Sequence, residues 1–250
     1  MKIREVLFVI PCLSPGGTNI FRLGDAPKRV LVGSTEGIFL LERGANSRAW
    51  RVSARALPEC HIHALMPEVL SGLLFAGIHN GTVYASQDWT KSWELREQGI
   101  TQPDVYTLSC VVAGGSTRLY AGTEPAHLFV SDDLGMSWRE IVTLRSVPSV
   151  AKWNYPQPPY IAHVKQITFD PKDPKTIYVC VEQGALLRSR DRGQTWEELH
   201  GFYMDVHRLA ILASDARKMY LACGDGVYYS ADAGASWERL TDRSTRLACD

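Results

Sequence analysis

Histidines and carboxylates recur at matched positions in four segments of this sequence, and such side chains bind ligands, move protons or hold metal ions. Each segment has a polar residue directly before a β-branched apolar residue, and a second polar or aromatic residue two positions later. The first set is His61, Asp104, His163 and Asp205, and the second set is His63, Tyr106, Lys165 and His207. Because side chains alternate along a β-strand, both sets are predicted to lie on the same side of their strands. We therefore expect these side chains to surround one opening and to bind a ligand there.

Turns between apolar runs carry a further group of side chains that could do chemistry. The carboxylates among them are Glu36, Glu124, Glu182 and Asp225, and the histidines are His79 and His127. Two carboxylates flanking a glycosidic bond are what glycoside hydrolysis requires, and their separation decides the mechanism. The four acidic residues are therefore the catalytic candidates, and His127 is added to the ligand-binding candidates.

A segment rich in proline and aromatic residues, 146–160, supplies three more candidates, which are Trp153, Tyr155 and Tyr160. Their rings could stack on a sugar or on another flat apolar surface, and long loops are often functional. The same segment could instead cover the opening or meet a partner chain. His61 and His63 form an HxH pair, but no third ligand is assigned to them, so neither a metal site nor a cofactor is predicted.

Repeated β-hairpins must position these residues. Five segments share an apolar run, a turn bearing glycine or a polar residue, and a second apolar run, which is a hairpin pattern. They are 29–42, 73–86, 118–131, 176–189 and 218–230. Before each of the last four comes another strand-like segment, at 61–67, 104–110, 163–171 and 205–213. With one outer strand after each hairpin, the pattern predicts four strands per repeat.

A loop of the form S-x-D-x-x-x-[ST]-W follows four of the hairpins. An Asp carboxylate there can accept hydrogen bonds from loop N–H groups, while the Trp packs the loop against the sheet. The loop residues are Ser86, Asp88 and Trp93; Ser131, Asp133 and Trp138; Ser189, Asp191 and Trp196; and Ser230, Asp232 and Trp237. Successive tryptophans are 45, 58 and 41 residues apart, and four-stranded propeller blades repeat every 40–50 residues or so.

These loops make the sequence similar to the Asp-box, or BNR-repeat, family, which includes sialidase-like and sortilin-like propellers. The resemblance covers roughly residues 29–241 and implies an all-β fold, a β-propeller of four-stranded antiparallel blades. About five blades are recognisable, so the chain resembles a shortened member of a family of larger propellers. Residues 1–28 are predicted to be an N-terminal segment that contributes a strand, and 242–250 a tail. The resemblance also implies that the Asp-box residues are structural and lie away from the ligand-binding face.

A sialidase, as the resemblance implies, would need three arginines, a Tyr nucleophile paired with Glu, and an Asp acid. Arg22, within the FRLG stretch at 21–24, is the nearest match to the first arginine. No second or third arginine and no Tyr–Glu pair is assigned, so sialidase activity itself is not predicted.

Composition narrows the function classes further. The 27 basic residues balance 27 acidic ones, which argues against binding nucleic acid or an anionic membrane by bulk charge. No apolar run approaches the roughly 20 residues needed to cross a bilayer. The N-terminal apolar stretch 6–10 is short and lacks a clear cleavage site, so a cytoplasmic location is expected, with secretion as the alternative. Six scattered cysteines without a CxxC pair are typical of free thiols in a reducing compartment.

Three functions stay open on these observations. The first is a non-enzymatic module that binds a small ligand, such as a carbohydrate, or a protein at the channel mouth. The second is a glycoside hydrolase, either sialidase-like or using another carboxylate pair. The third is a metal-dependent enzyme that uses the His-rich mouth. An unclosed ring would leave strand edges that can pair with another copy, in which case a homo-oligomer is expected.

Overall fold

The computed structural model describes residues 28–44 and 47–241, and these residues form five groups of β-strands. The first group is β1 (Arg29–Ser34), β2 (Gly37–Glu42) and β3 (Arg51–Ala56). The second is β4 (Ile62–Pro67), β5 (Leu74–Ile78), β6 (Val83–Ser86) and β7 (Glu94–Leu95). The third is β8 (Val105–Ala113), β9 (Ser116–Thr123), β10 (Leu128–Ser131) and β11 (Arg139–Glu140). The fourth is β12 (Val164–Phe169), β13 (Ile177–Val181), β14 (Ala185–Ser189) and β15 (Glu197–Leu199), and the fifth is β16 (Val206–Ile211), β17 (Met219–Cys223), β18 (Gly226–Ser230) and β19 (Glu238–Arg239).

Each group is one antiparallel sheet whose strands pair in chain order. In the second to fifth sheets, the first strand lies at one edge, and these edge strands (β4, β8, β12 and β16) contact one another in succession. The first sheet has three described strands, and its β1–β2 hairpin corresponds to the middle pair of the other sheets. Its described strands thus correspond to the second, third and fourth strands of the other sheets. The sequence pattern offers the segment 3–10 or the segment 18–23 as the innermost strand of this sheet. Both segments lie outside the described residues, as does Arg22.

The middle strands are apolar on both sides because sheets cover both of their faces. All five residues of β5 are buried, and so are all five of β13. In the fifth sheet, by contrast, β17 buries Met219, Leu221 and Cys223 while Tyr220 between them is 40% exposed. That strand is therefore covered on one face.

Apolar clusters fill the spaces between successive sheets within the described part of the chain. Between the third and fourth sheets, for example, Leu128 and Val164 pack with Val179. Gly122 on β9 lies so near the fourth sheet that a Cβ there would come within 2.4 Å of Val164 Cγ1. The third and fourth sheets thus approach each other so closely at this point that only a glycine fits.

The four Ser–Asp–Trp loops share one hydrogen-bond pattern. In the loop after β14, the Ser189 hydroxyl donates to Asp191 Oδ1 (2.8 Å) and accepts from Gly193 N (2.7 Å). Asp191 Oδ1 also accepts from Thr195 N (2.9 Å), and Oδ2 accepts from Thr195 Oγ1 (2.6 Å). The loops after β6, β10 and β18 hold their aspartates through equivalent contacts. These hydrogen bonds occupy both carboxylate oxygens within the loop itself.

The tryptophan of a Ser–Asp–Trp loop can also join one sheet to the previous one. Trp138 is 5% exposed, and its Nε1 donates to the carbonyl oxygen of Arg96 in the second sheet (2.9 Å). Trp196 donates in the same direction, to Thr143 Oγ1 in the segment that follows the third sheet (3.3 Å). The loops therefore fix both their own turn and the packing between neighbouring sheets.

Helical structure in the described residues is limited to short 3₁₀ turns, at Val142–Ser146 and Pro148–Lys152. The second of them lies within the predicted insertion, 146–160. Neither turn has the length or apolar character that crossing a bilayer would demand. The four described cysteines, Cys60, Cys110, Cys180 and Cys223, are free thiols.

Candidate functional site

A β-bulge occurs at the same position in all four innermost strands. The register of β4 shifts between Ile62 and Ala64, and equivalent shifts occur in β8, β12 and β16. The residues within the shifts are His63, Tyr106, Lys165 and His207. A bulge sets two residues of one strand opposite a single residue of its partner, which frees one residue from the ladder and redirects its side chain. All four residues of the second predicted set are therefore presented by the same backbone irregularity.

The residue that follows the second strand of a sheet is tied back to the start of the innermost strand. His79 N donates to His61 O (2.9 Å), and Glu124 N donates to Asp104 O (2.9 Å). The fourth sheet repeats this with Glu182 N and His163 O (3.1 Å). These bonds bring turn residues of the second to fourth sheets beside the first predicted set.

The resulting group of polar and aromatic side chains is called here the mouth cluster. Its members are His61, His63, His79, Asp104, Tyr106, Glu124, Tyr155, His163, Lys165, Glu182, Asp205 and His207. It contains all eight residues of the two predicted sets, so the structure brings them together as the strand pattern suggested. Their role in binding a ligand stays a prediction.

One half of the mouth cluster consists of three histidines around Asp104. His79 Nδ1 is 2.5 Å from Asp104 Oδ2, and His63 Nδ1 is 3.1 Å from Asp104 Oδ1. The ring centroid of His61 lies 4.5 Å from that of His63 and 5.1 Å from that of His79. Burial, together with the neighbouring His63 and His79, lowers the pKa of His61 to about 4, although Asp104 acts in the opposite direction. His61 is therefore neutral at neutral pH.

The other half is an ion-pair network centred on Glu182. His163 Nε2 lies 2.6 Å from Glu182 Oε2, Lys165 Nζ lies 2.9 Å from the same oxygen, and His207 Nδ1 lies 3.5 Å from Oε1. The opposite ring nitrogen of His163 is 3.1 Å from Glu124 Oε2. Two of the four catalytic candidates, Glu124 and Glu182, are thus linked through one buried imidazole.

Ion pairing outweighs burial in setting the charges of this network. Burial disfavours the charged form of Glu182, yet the hydrogen bond from His163 and the charge of Lys165 lower its pKa to about 2. Burial also opposes protonation of His163, but its hydrogen bonds to Glu124 and Glu182 raise its pKa. Glu182 is consequently ionised at neutral pH, and it lacks the raised pKa that a general acid needs.

Tyr106 joins the two halves. Its ring stacks on that of His163, with centroids 3.9 Å apart and an interplanar angle of 24°, and lies 4.5 Å from the ring of His63. Lys165 Nζ is 5.6 Å from the Tyr106 centroid, within the range of a cation–π contact. The mouth cluster is therefore one continuous contact network across the second to fifth sheets.

The insertion contributes one residue to the mouth cluster. The ring of Tyr155 lies 5.3 Å from that of His163 and is partly exposed. Trp153 instead packs against the apolar cluster between the third and fourth sheets, and its Nε1 donates to Ser149 Oγ (2.8 Å). Tyr160 is 60% exposed and outside the mouth cluster. Trp153 thus packs against this apolar cluster, outside the mouth cluster.

Three other candidates also lie outside the mouth cluster because partners on outer strands hold them. Glu36 is paired with Arg55 on β3, His127 with Glu140 on β11 (2.6 Å), and Asp225 with Tyr228 and Arg239 of the fifth sheet. Conversely, His79 belongs to the site although it was not among the binding candidates. The sequence feature that could have identified His79 is its position directly after the second strand of its sheet, a position that Glu124 and Glu182 share.

Two groups of side chains within the described residues could hold a metal ion. In each group, one ligand atom per residue lies within 4.8 Å of the others: His61, His63 and His79 form the first, and Glu182, Asp205 and His207 the second. In the second group Glu182 already pairs with Lys165, whereas Asp104 is the acidic neighbour of the first. The chemistry of the two groups therefore differs.

Several known proteins resemble this chain over part of its length. The xyloglucanase Xgh74A of Acetivibrio thermocellus is 30% identical over 161 residues, which cover 54% of this chain and 19% of that protein. A xyloglucanase of Paenibacillus sp is 32% identical over 99 residues, 31% of this chain and 10% of that protein. This chain thus spans about a fifth, or less, of the length of these relatives. No family model matches the sequence.

Solved structures agree on the architecture. The GH74 xyloglucanase of Xanthomonas campestris superposes with a TM-score of 0.54 at 18% identity, covering 84% of this chain and 37% of that one. YCF48 bound to D1 peptide gives a TM-score of 0.57 at 15% identity, covering 90% and 65%. Both are propellers. This chain is a β-propeller. The predicted fold of about five four-stranded antiparallel blades is confirmed, with three strands described in the first blade.

Proposed function

We propose that this propeller is a binding module that holds a polysaccharide of the xyloglucan type against the mouth cluster, without cleaving it. The observation that carries the proposal is the convergence of polar and aromatic side chains from four blades on one face. Carbohydrate sites combine an aromatic surface with a few well-placed polar groups, and both are present here. The partial sequence similarity to xyloglucanases supports the choice of ligand class.

Tyr155 is the proposed stacking surface. Its ring lies at the edge of the mouth cluster and remains partly exposed, while the stacked pair Tyr106 and His163 lies deeper. Glu124 and His207 have 17% and 12% of their side chains exposed, respectively. A sugar stacked on Tyr155 would find hydrogen-bond acceptors and donors at these positions.

The charge state of the network supports binding over catalysis. A glycosidase needs one carboxyl group that stays protonated at working pH and a second that is ionised. Glu182 is held ionised by its partners, and its hydrogen-bonding capacity is already used within the cluster. A carboxylate that is held ionised by two hydrogen-bonding partners suits the positioning of a ligand better than proton transfer to it.

Isothermal titration of the purified chain with xyloglucan oligosaccharides tests this proposal, with cello-oligosaccharides of equal backbone length as a comparison. Tyr155→Ala is expected to weaken binding about 10-fold, since losing one stacking contact costs about 1.4 kcal/mol. Tyr160→Ala is the matched control because it removes an exposed tyrosine of the same loop. Absence of heat with every glycan, or equal affinity in the two variants, would refute the proposal.

Glycoside hydrolysis is the second candidate, and the 30% identity to a xyloglucanase favours it. Release of reducing ends from xyloglucan by the wild-type chain, lost in Glu124→Gln, would establish a hydrolase and exclude a purely binding role. Wild-type protein that binds xyloglucan but releases no reducing ends supports the binding module.

We also propose that the four Ser–Asp–Trp loops make this chain a member of the Asp-box group of propellers. Support comes from the shared serine, aspartate and hydroxyl pattern: in all four loops the aspartate accepts from the Ser or Thr hydroxyl four residues later. In three loops the serine also accepts from the loop glycine N–H, whereas Ser86 accepts from Trp89 N. The aspartates then have a folding role, and Asp191→Ala should lower stability while leaving glycan affinity within about twofold of wild type. A large loss of affinity in a variant that remains folded would overturn this assignment.

A further inference from the structure

We propose that His61, His63 and His79 form a binding site for one divalent transition-metal ion, such as Zn²⁺. One ring nitrogen from each of the three histidines lies within 4.8 Å of the other two. Around a tetrahedral zinc ion with Zn–N bonds near 2.0–2.1 Å, ligand nitrogens are roughly 3.3 Å apart. The three rings therefore need to close by about 1.5 Å at most, which rotation of the side chains can supply.

The backbone makes this arrangement specific to the second blade. His61 lies directly before the innermost strand, His63 occupies its β-bulge, and His79 is fixed by the hydrogen bond from its N–H to the carbonyl of His61 (2.9 Å). The same three positions in the third blade hold Asp104, Tyr106 and Glu124, and in the fourth His163, Lys165 and Glu182. Only the second blade offers an imidazole at all three positions among the described repeats.

Histidines that bind a metal ion through one ring nitrogen usually donate a hydrogen bond from the other nitrogen to a carboxylate or carbonyl group, and Asp104 is such a carboxylate. Its two oxygens lie 2.5 Å from His79 Nδ1 and 3.1 Å from His63 Nδ1. The hydrogen bond between His79 Nδ1 and Asp104 Oδ2 favours the His79 tautomer with the proton on Nδ1, which leaves the Nε2 lone pair for the metal and makes this ring a better ligand. Asn80 Nδ2 lies 3.0 Å from His79 Nε2, so a bound ion would take the place of this amide as the partner of that nitrogen.

The local charge also suits a cation. Asp104 lies within ion-pair distance of His63 and His79. In the other half of the mouth cluster, by contrast, Lys165 already provides a positive charge beside Glu182. The Asp104 carboxylate, just outside the three imidazoles, would offset part of the charge of a divalent ion bound there. Imidazole nitrogens select zinc, copper or nickel over calcium or magnesium, which prefer oxygen ligands.

The fourth coordination position would face the solvent. The side chain of His63 is 9% exposed, while that of His79 is 38% exposed, so the cluster opens on the His79 side. Three protein ligands with an accessible fourth position allow a water molecule or a ligand oxygen to coordinate the ion. The inference does not rest on glycan binding, because the metal alone is its probe.

Metal binding is measured on the untagged full chain after treatment with EDTA, by titrating Zn²⁺ in competition with a chromophoric chelator. One equivalent is expected to bind. His79→Ala and His61→Ala should each weaken the affinity at least about 100-fold, and Asp104→Asn about 10- to 100-fold. His200→Ala is the matched control, since this histidine is 78% exposed, lies 3.9 Å from Glu198 and is not part of the mouth cluster; the variant should bind zinc like the wild type.

Circular dichroism of each variant shows whether its fold is retained, and His79→Gln replaces His79→Ala if the latter unfolds. Cu²⁺ provides a second probe that should bind more tightly than Zn²⁺ at the same nitrogen ligands. Failure of the wild type to bind either ion, or equal zinc affinity in wild type, His61→Ala and folded His79 variants, would overturn the proposal. Loss of glycan binding with intact zinc binding would leave the metal site standing and remove only the proposed function.

Discussion

Replacing Glu182 by glutamine should destabilise the propeller by about 3 kcal/mol at pH 7. The native contacts hold the pKa of this carboxyl at about 2 in place of its usual 4.5, and such a difference corresponds to roughly 3 kcal/mol. Removing one partner of a buried ion pair costs about 3–5 kcal/mol in general, because the other charge is left without compensation. Here Lys165 and His163 are the charges left behind. The loss that follows from the pKa difference therefore agrees with the loss expected from breaking a buried ion pair.

The pH dependence of that difference follows from the direction of the shift. Because the folded-state pKa is lowered, the contribution of Glu182 is fully present above about pH 4.5 and is lost as pH falls through about 2. The gap between wild type and Glu182→Gln should therefore shrink from about 3 kcal/mol at pH 7 to about 2 kcal/mol at pH 3.5. Urea unfolding followed by tryptophan fluorescence measures both values.

Glu238→Gln on the exposed edge strand β19 is the control for this experiment and should change the free energy of unfolding by less than about 0.5 kcal/mol. A loss below about 1 kcal/mol for Glu182→Gln at pH 7 would refute the reasoning. So would a loss of the same size at pH 7 and pH 3.5, because it would show that the carboxylate charge is not what stabilises the site.

Three further predictions test other parts of the molecule. Ser189→Ala removes a buried hydroxyl that makes hydrogen bonds of 2.8 and 2.7 Å, so urea unfolding should show a loss of about 2 kcal/mol; an unchanged midpoint would contradict the role given to these loops. Gly122→Ala should cost about 2–3 kcal/mol because its Cβ would meet Val164. Gly44→Ala, whose Cβ would meet Ser47 Cβ at an ordinary contact distance of 3.8 Å, should change little, and equal effects of the two glycine variants would count against close packing of the sheets. His163 should titrate above its ordinary pKa of 6.5 in an NMR experiment, so its contribution to stability is fully present below pH 6.5 and is lost as pH rises through the raised value; a pKa below 6.5 would show that burial dominates instead.

The strands were largely predictable from sequence because each repeat carries the same local signals. Apolar runs such as that of β13, flanked by turn residues, have few alternatives to a buried strand. The grouping of His61, Asp104, His163 and Asp205 followed from their shared position before a β-branched residue, since equivalent positions of a repeat occupy equivalent places in space.

Sequence reasoning failed where side-chain direction depends on tertiary contacts. A period of two does not reveal a β-bulge, and the bulges are what present His63 and its three counterparts. Nor could the pattern show that Trp153 would pack into the gap beside Gly184. Glu36 and Asp225 sit in the right kind of turn, but basic side chains on outer strands, Arg55 and Arg239, hold them there.

The repeated bulge also has a consequence for how such a molecule can change over generations. The residue it releases takes no part in the regular pairing that maintains its strand, so substitution at that point leaves the backbone hydrogen bonds between the strands in place. In this chain the four released positions already carry three different residue types, two histidines, a tyrosine and a lysine. New recognition properties can therefore arise by exchanging these side chains one blade at a time, while the sheets behind them keep their original order.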